Sequence, residues 1–172
     1  MTAMDALRAV LDRGIEALAK KLAWASVLLM LLMVVVVVLR YGFNIGWIAL
    51  QDSTLFVHAV IFMGGAAYTL QRDKHVRVDV FYRHFQATTQ AWVNLFGALF
   101  LILPVIGFIA VSSEPFIVMS WQMQESSPEA GGMPGFFVLK SYLWLLCGLM
   151  ALQTIAEIIK SIQQIRSAGV QV

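Results

Sequence analysis

Charge is scarce in this chain. Asp, Glu, Lys and Arg make up 13% of its 172 residues, about half the share of an ordinary soluble domain. Too little polar surface remains to cover a water-exposed globule of this size. Cysteine is nearly absent as well: Cys147 stands alone inside an apolar run, which excludes an intrachain disulfide. The basic residues do not gather into a patch with aromatic platforms, which argues against a nucleic-acid partner. Ionisable side chains do not converge within the apolar runs. An intramembrane catalytic centre needs such convergence, so the chain is not expected to be an enzyme, and neither a cofactor nor a metal site is expected in it. Internal repeats and low-complexity linkers are missing too, leaving residues 1–172 as one membrane domain.

What is present is apolar surface. Hydrophobic residues account for 60% of the chain, and mean hydropathy is +0.79. The surplus is expected to face lipid. Residues 22–39 form an unbroken apolar run between Lys20–Lys21 and Arg40. At about 1.5 Å per residue it is long enough to cross a hydrocarbon core. The valines at 34–38 favour a strand in water, but a lone strand in lipid leaves its backbone unpaired, so a helix is predicted. Further spans are predicted at residues 48–70, 91–111 (with Pro104 as a kink) and 136–159. Ahead of them, residues 2–21 carry Leu7, Val10, Leu11, Ile15, Leu18 and Leu22 at spacings of three and four. Asp5, Arg8, Asp12, Arg13, Glu16 and Lys20 fill the other face. That pattern predicts an amphipathic helix lying in the membrane interface rather than a cleaved signal. The fold class is therefore an all-α integral membrane protein, with four transmembrane helices preceded by an amphipathic N-terminal helix.

Orientation follows from the basic residues. Arg8, Arg13, Lys20, Lys21, Arg72, Lys74, Arg77, Arg83, Lys160 and Arg166 fall on one side. Arg40 and Lys140 fall on the other, with Glu114, Glu125 and Glu129. The ten-to-two split (ten plus two being all 12 Lys and Arg) places both termini and residues 72–83 in the cytoplasm, and residues 112–135 outside. Trp47 and Trp121 then mark the outer interface.

Five features are candidates for function. His58 lies halfway through the second span, as a haem ligand or proton relay, or else as a histidine bonded to a neighbouring helix. Bis-histidine haem ligation needs a second histidine at similar depth, and His75 and His84 fall in the loop instead. Asp52 is one carboxylate, too few for a sodium cage; it is read as a cap on the second helix, or a partner of Arg40 or of a basic group on another chain. Gly64 and Gly65, with Ala66 and Ala67, form a small-residue patch that lets helix backbones approach closely, within the chain or between chains. The string His75, Val76, Arg77, Val78, Asp79 and Val80 alternates polar and apolar residues, with Asp79 placed to cap the next helix. The outer loop holds Glu125, and Lys140 follows it.

The string from His75 to Asp79, preceded by Gly64 to Ala67, resembles the small membrane (Q) subunit of tripartite ATP-independent periplasmic (TRAP) transporters. So do Arg40, Tyr41 and Asn44 after the first span, the loop from Glu125 to Pro134, and Leu139, Lys140 and Ser141 after it. The resemblance covers nearly the whole chain; it departs where many members carry a glutamate pair and this chain has Gln51 and Asp52. It implies a multi-pass subunit of a bacterial inner membrane. Its partners would be a large transmembrane transport subunit, a periplasmic solute-binding protein and the surrounding lipids. Import of an organic acid would be driven by an ion gradient, with sodium bound in the large subunit and no cofactor here. Arg40, Asp52, Gly64, Gly65, His75, Arg77, Asp79, Glu125 and Lys140 are the interface or structural candidates. The loop variant resembles a branch associated with 2-oxoacids and lactate. An alternative reading is a haem-binding membrane anchor of a respiratory enzyme. A small multidrug exporter needs an embedded carboxylate near mid-membrane, and none is present.

The topology is testable with an impermeant thiol reagent on intact cells. Ser127→Cys should label and Ser167→Cys should not; the opposite pattern would invert the assignment.

Overall fold

The computed structural model describes residues 3–73, 82 and 84–169. Among these the chain is helical, without strands. Helix α1 spans Ala3–Val37 and runs into a π-helical turn at Val38–Gly42. Asn44 then takes a left-handed conformation (φ 60°), and the Phe43 and Ile45 amides both bond back to the Leu39 carbonyl. Asn tolerates this region better than most side chains, so the helix stops there. Helix α2 covers Ile48–Gln71, one residue beyond the predicted span. Helix α3 covers Ala87–Gly97, a π-helical turn follows at Ala98–Ile102, and α4 continues over Leu103–Gln122. Helix α5 runs over Phe136–Gly169.

Four of these helical stretches are long and apolar enough to cross a membrane: Met4–Gly42, Ile48–Gln71, Ala87–Gln122 and Phe136–Ser167. Their boundaries differ from the sequence expectation in instructive ways. A separate interfacial helix over 2–21 is not found. Residues 3–37 form one continuous helix, because the segment holds no proline and its glycine, Gly14, does not break it. The third span is longer than 91–111, and residues 112–122 are helix rather than loop. Hydropathy falls near 111, but the helix stops only where Gln124 turns left-handed. Proline in a helix removes one amide and crowds the carbonyl four residues back; for Pro104 that is Phe100. The widened turn at 98–102 covers this position and keeps the two halves in one helical stretch.

Helix α5 is the hub. It packs against α1, α2, α3 and α4, and α1 also packs along α2. The interior is built mainly from small residues: Ala67, Ala91, Ala98 and Ala156 are buried beside Leu22, Ile117 and Ile159. At Gly64 the close approach is explicit. A Cβ there would stand 2.9 Å from Leu22 Cδ1, so α1 and α2 meet at a distance that excludes a side chain. Most remaining apolar side chains of α1, α3 and α4 point away from the bundle.

Part of the charged face of α1 is turned toward the bundle: Asp5, Arg8, Asp12 and Glu16 are half-buried, Arg13 and Lys20 are exposed, and Leu7 and Val10 are exposed as well. The Gln71 amide of α2 donates to the Asp12 backbone carbonyl (2.8 Å) and to Asp12 Oδ1 (3.1 Å). Gln153 of α5, with 0% of its surface exposed, donates to the same Asp12 Oδ1 at 3.3 Å. One and two turns nearer the start of α1, Gln163 accepts from Arg8 (3.4 Å) and donates to Asp5 (2.7 Å). Arg72 pairs with Glu16 at 3.2 Å. These bonds join α1, α2 and α5 at the end of the bundle that carries both chain ends. The 43–47 and 123–135 connections therefore lie at the opposite, loop end.

Candidate functional site

The described candidates with charge gather at the loop end. Helix α4 closes with a Schellman turn: the Gln124 amide bonds to the Trp121 carbonyl (3.2 Å) and the Glu125 amide to the Ser120 carbonyl (3.1 Å). This turn aims the Glu125 side chain back along the helix. Its carboxylate accepts from Ser120 Oγ (2.6 Å) and from Lys140 Nζ on α5. The Lys140 ammonium also sits 3.9 Å from the centroid of the Phe116 ring, a cation–π contact. Alongside, Trp121 Nε1 donates to Ser141 Oγ (2.8 Å), and its ring lies 4.5 Å from that of Phe137. The hydrogen bond from Lys140, aided by that from Ser120, holds the Glu125 carboxyl below its ordinary value.

The 123–135 connection is itself folded. The Ser127 amide bonds to the Met133 carbonyl (3.0 Å), and the Gly132 amide closes a turn on the Glu129 carbonyl (3.0 Å). Asp52, from the second turn of α2, accepts the Met133 amide at 2.8 Å. Gly132 sits where a Cβ would be 2.7 Å from Asp52 Oδ2 and would overlap Ser127. Glycine is required there by closeness rather than by backbone angle. Asp52 thus neither caps α2, whose first residues have no side-chain cap, nor forms an ion pair with Arg40 among the described residues. It anchors the loop to α2. Arg40, exposed in the π turn, shares an open cleft with Asn44, Gln51, Asp52 and Glu129.

The structure separates Gly64 from Gly65. Gly64 serves the α1–α2 contact, whereas a Cβ at Gly65 would meet nothing within 4 Å. His58 is exposed, and its ring contact is with Phe62, 6.4 Å between centroids. His75, Arg77 and Asp79 lie outside the described residues. Among the described residues no three His, Cys, Asp or Glu side chains converge to hold a metal ion. Sequence reasoning missed Asp12, Gln71, Gln153 and Gln163. The available signal was the presence of amides toward the ends of the second and fourth apolar runs, where only ionisable groups were sought.

This geometry ties loops and helices together. Compared with known families, residues 29–164 match the family model described as tripartite ATP-independent periplasmic transporters, DctQ component. No curated protein and no solved structure matches the chain.

Acid should loosen this end selectively. A carboxylate held below its ordinary value of 4.5 contributes stability above that value, and loses it as pH falls through the lowered folded value. Lys140→Met should move the acid transition of the 123–135 loop upward, toward 4.5. Hydrogen exchange of that peptide between about pH 3 and 6 reads the shift; an unchanged profile would show that the ion pair does not hold the loop.

Proposed function

The chain belongs to the DctQ component family of tripartite ATP-independent periplasmic transporters, and we propose that within such a transporter it is the small scaffold subunit. In this reading a soluble periplasmic protein captures an organic acid, of the 2-oxoacid or lactate kind. A large membrane subunit moves it inward on a sodium gradient. The present chain stays fixed in the inner membrane, both termini cytoplasmic, and provides the surface against which the mover works. The match to the transporter component family supports the assembly.

The scaffold role rests on one observation. Asp52, Lys140 and Glu157 fall within the predicted spans, each within a few residues of an end, and each is engaged structurally. Asp52 holds Met133, Lys140 holds Glu125, and Glu157 pairs with Lys160 at 3.1 Å. A secondary transporter needs polar groups converging near the midplane, usually with unwound helices. Of the two π-helical turns, Ala98–Ile102 lies within continuous helix and is wholly apolar, and Val38–Gly42, with Arg40, lies at the loop end rather than at mid-depth. A fixed bundle of this kind also suits Arg40, Asp52, Glu125 and Lys140 as a rigid outer face.

Reconstituted alone in liposomes, the chain should move no organic acid under an imposed sodium gradient, whereas the three components together should. Saturable uptake by the lone chain would overturn the scaffold role.

A further inference from the structure

Resting on that reading, we infer that the face of α2 carrying Leu55, His58, Phe62 and Gly65 seats a transmembrane helix of the large subunit, one that presents a hydrogen-bonding side chain to His58. The four residues recur at spacings of three, four and three, so they form one stripe on the helix. The stripe points away from the chain's own bundle. Leu55 is 45% exposed and Phe62 67%. His58 is exposed as well, and Gly65 has open space where a Cβ would be.

The polar residue decides what covers this face. His58 is the eleventh residue of the 24-residue helix Ile48–Gln71, so it lies near mid-depth, roughly 16 Å from the helix start at 1.5 Å per residue. The imidazole is too short to reach either interface. A neutral imidazole keeps one donor and one acceptor. Leaving them unpaired in hydrocarbon is costly. Among the described residues of this chain, the ring meets Phe62 and no polar group. Asp52, Lys140 and Glu157 already have partners, as set out above, and Glu114 lies in the part of α4 beyond residue 111, toward the loop end. His58 therefore needs a partner from outside the chain, at a depth that a soluble periplasmic protein cannot reach. Of the other components of a tripartite transporter, the membrane-embedded one can reach it. Gly65, two turns along from His58, allows the incoming backbone to approach closely. The division of labour between adjacent glycines supports the same reading: Gly64 is spent on Leu22 of α1, and Gly65 is left for a neighbour.

The test uses the chain co-expressed with the large subunit of its own transporter. Photoreactive p-benzoyl-phenylalanine in place of Phe62 should form an adduct with the large subunit upon irradiation of membranes. His58→Leu and Gly65→Leu should each lower the amount of large subunit that co-purifies in detergent several-fold. His58→Gln, which keeps a donor and an acceptor, should restore most of it. The isolated chain should unfold at the same temperature with Gly65→Leu as without it. If the two subunits co-purify but position 62 reacts with lipid alone or with a second copy of this chain, the face is misassigned and the assembly stands. A haem Soret band in the purified complex that disappears with His58→Leu would also overturn the proposal. If no large subunit co-purifies with the unmodified chain, the scaffold reading itself falls, and this inference with it.

Discussion

Lipid gives helices no hydrophobic reason to associate, since the acyl chains are as apolar as the side chains they would replace. A bundle in this solvent must be held by close packing and by polar bonds whose alternative is an unpaired group. The present chain uses both, and it distributes them unevenly. Along the helices the packing relies on Ala67, Ala91, Ala98 and Ala156 and on the fit of Leu22 against Gly64. The polar bonds are placed at the two ends. Asp12 gathers Gln71 and Gln153 at one end, and Asp52 and Glu125 hold the 123–135 loop and α5 at the other. The bundle is pinned at its ends and comparatively bare between them.

The two ends differ in chemistry. At the end carrying the termini, an acceptor carboxylate is surrounded by amide donors from two other helices, and Gln153 is fully buried. Removing the Asp12 side chain would strand the buried Gln153 amide, while Gln71 keeps its bond to the Asp12 backbone carbonyl; stranding a buried donor is costlier than losing a bond that water can replace. The side-chain oxygens of Gln71 and Gln153 are buried with no bond recorded among the described residues. The amide donors therefore carry the clasp. At the loop end the partners are a partly exposed ion pair and a backbone amide, which water can reach. The termini end is accordingly the stronger constraint on helix register, and the loop end is the more responsive to pH. A fixed scaffold benefits from the first property, because a moving partner must not drag its support along.

The second span was legible in the sequence almost to the residue, since Trp47 and Arg72 bracket an apolar run with no other reading. The ends of the third were not. Hydropathy marks where lipid contact can stop, but a helix stops where the backbone turns, and that is at Gln124. The face of α1 was read against water and lipid, where Asp12 belongs outside. Its partners Gln71 and Gln153 lie 59 and 141 residues away, and no local pattern foretells that pairing. Asp52 was recognised as notable, yet its partner is a backbone amide at Met133, and a backbone group carries no sequence signature. The Gly64–Gly65 patch was seen as a contact; that its two members face different neighbours required coordinates.

The claim that end clasps hold the helices in register is tested most directly by a double-mutant cycle on Asp12→Ala and Gln153→Ala, measured as unfolding free energies in lipid bicelles. Interhelical hydrogen bonds in membranes average about 0.6 kcal/mol and reach about 1.7. Because Asp12 is charged and Gln153 fully buried, the predicted coupling lies in the upper half of that range, about 1 kcal/mol or more. A coupling near zero, with the two single changes simply additive, would contradict the account and leave the alanine and glycine packing as what holds the bundle.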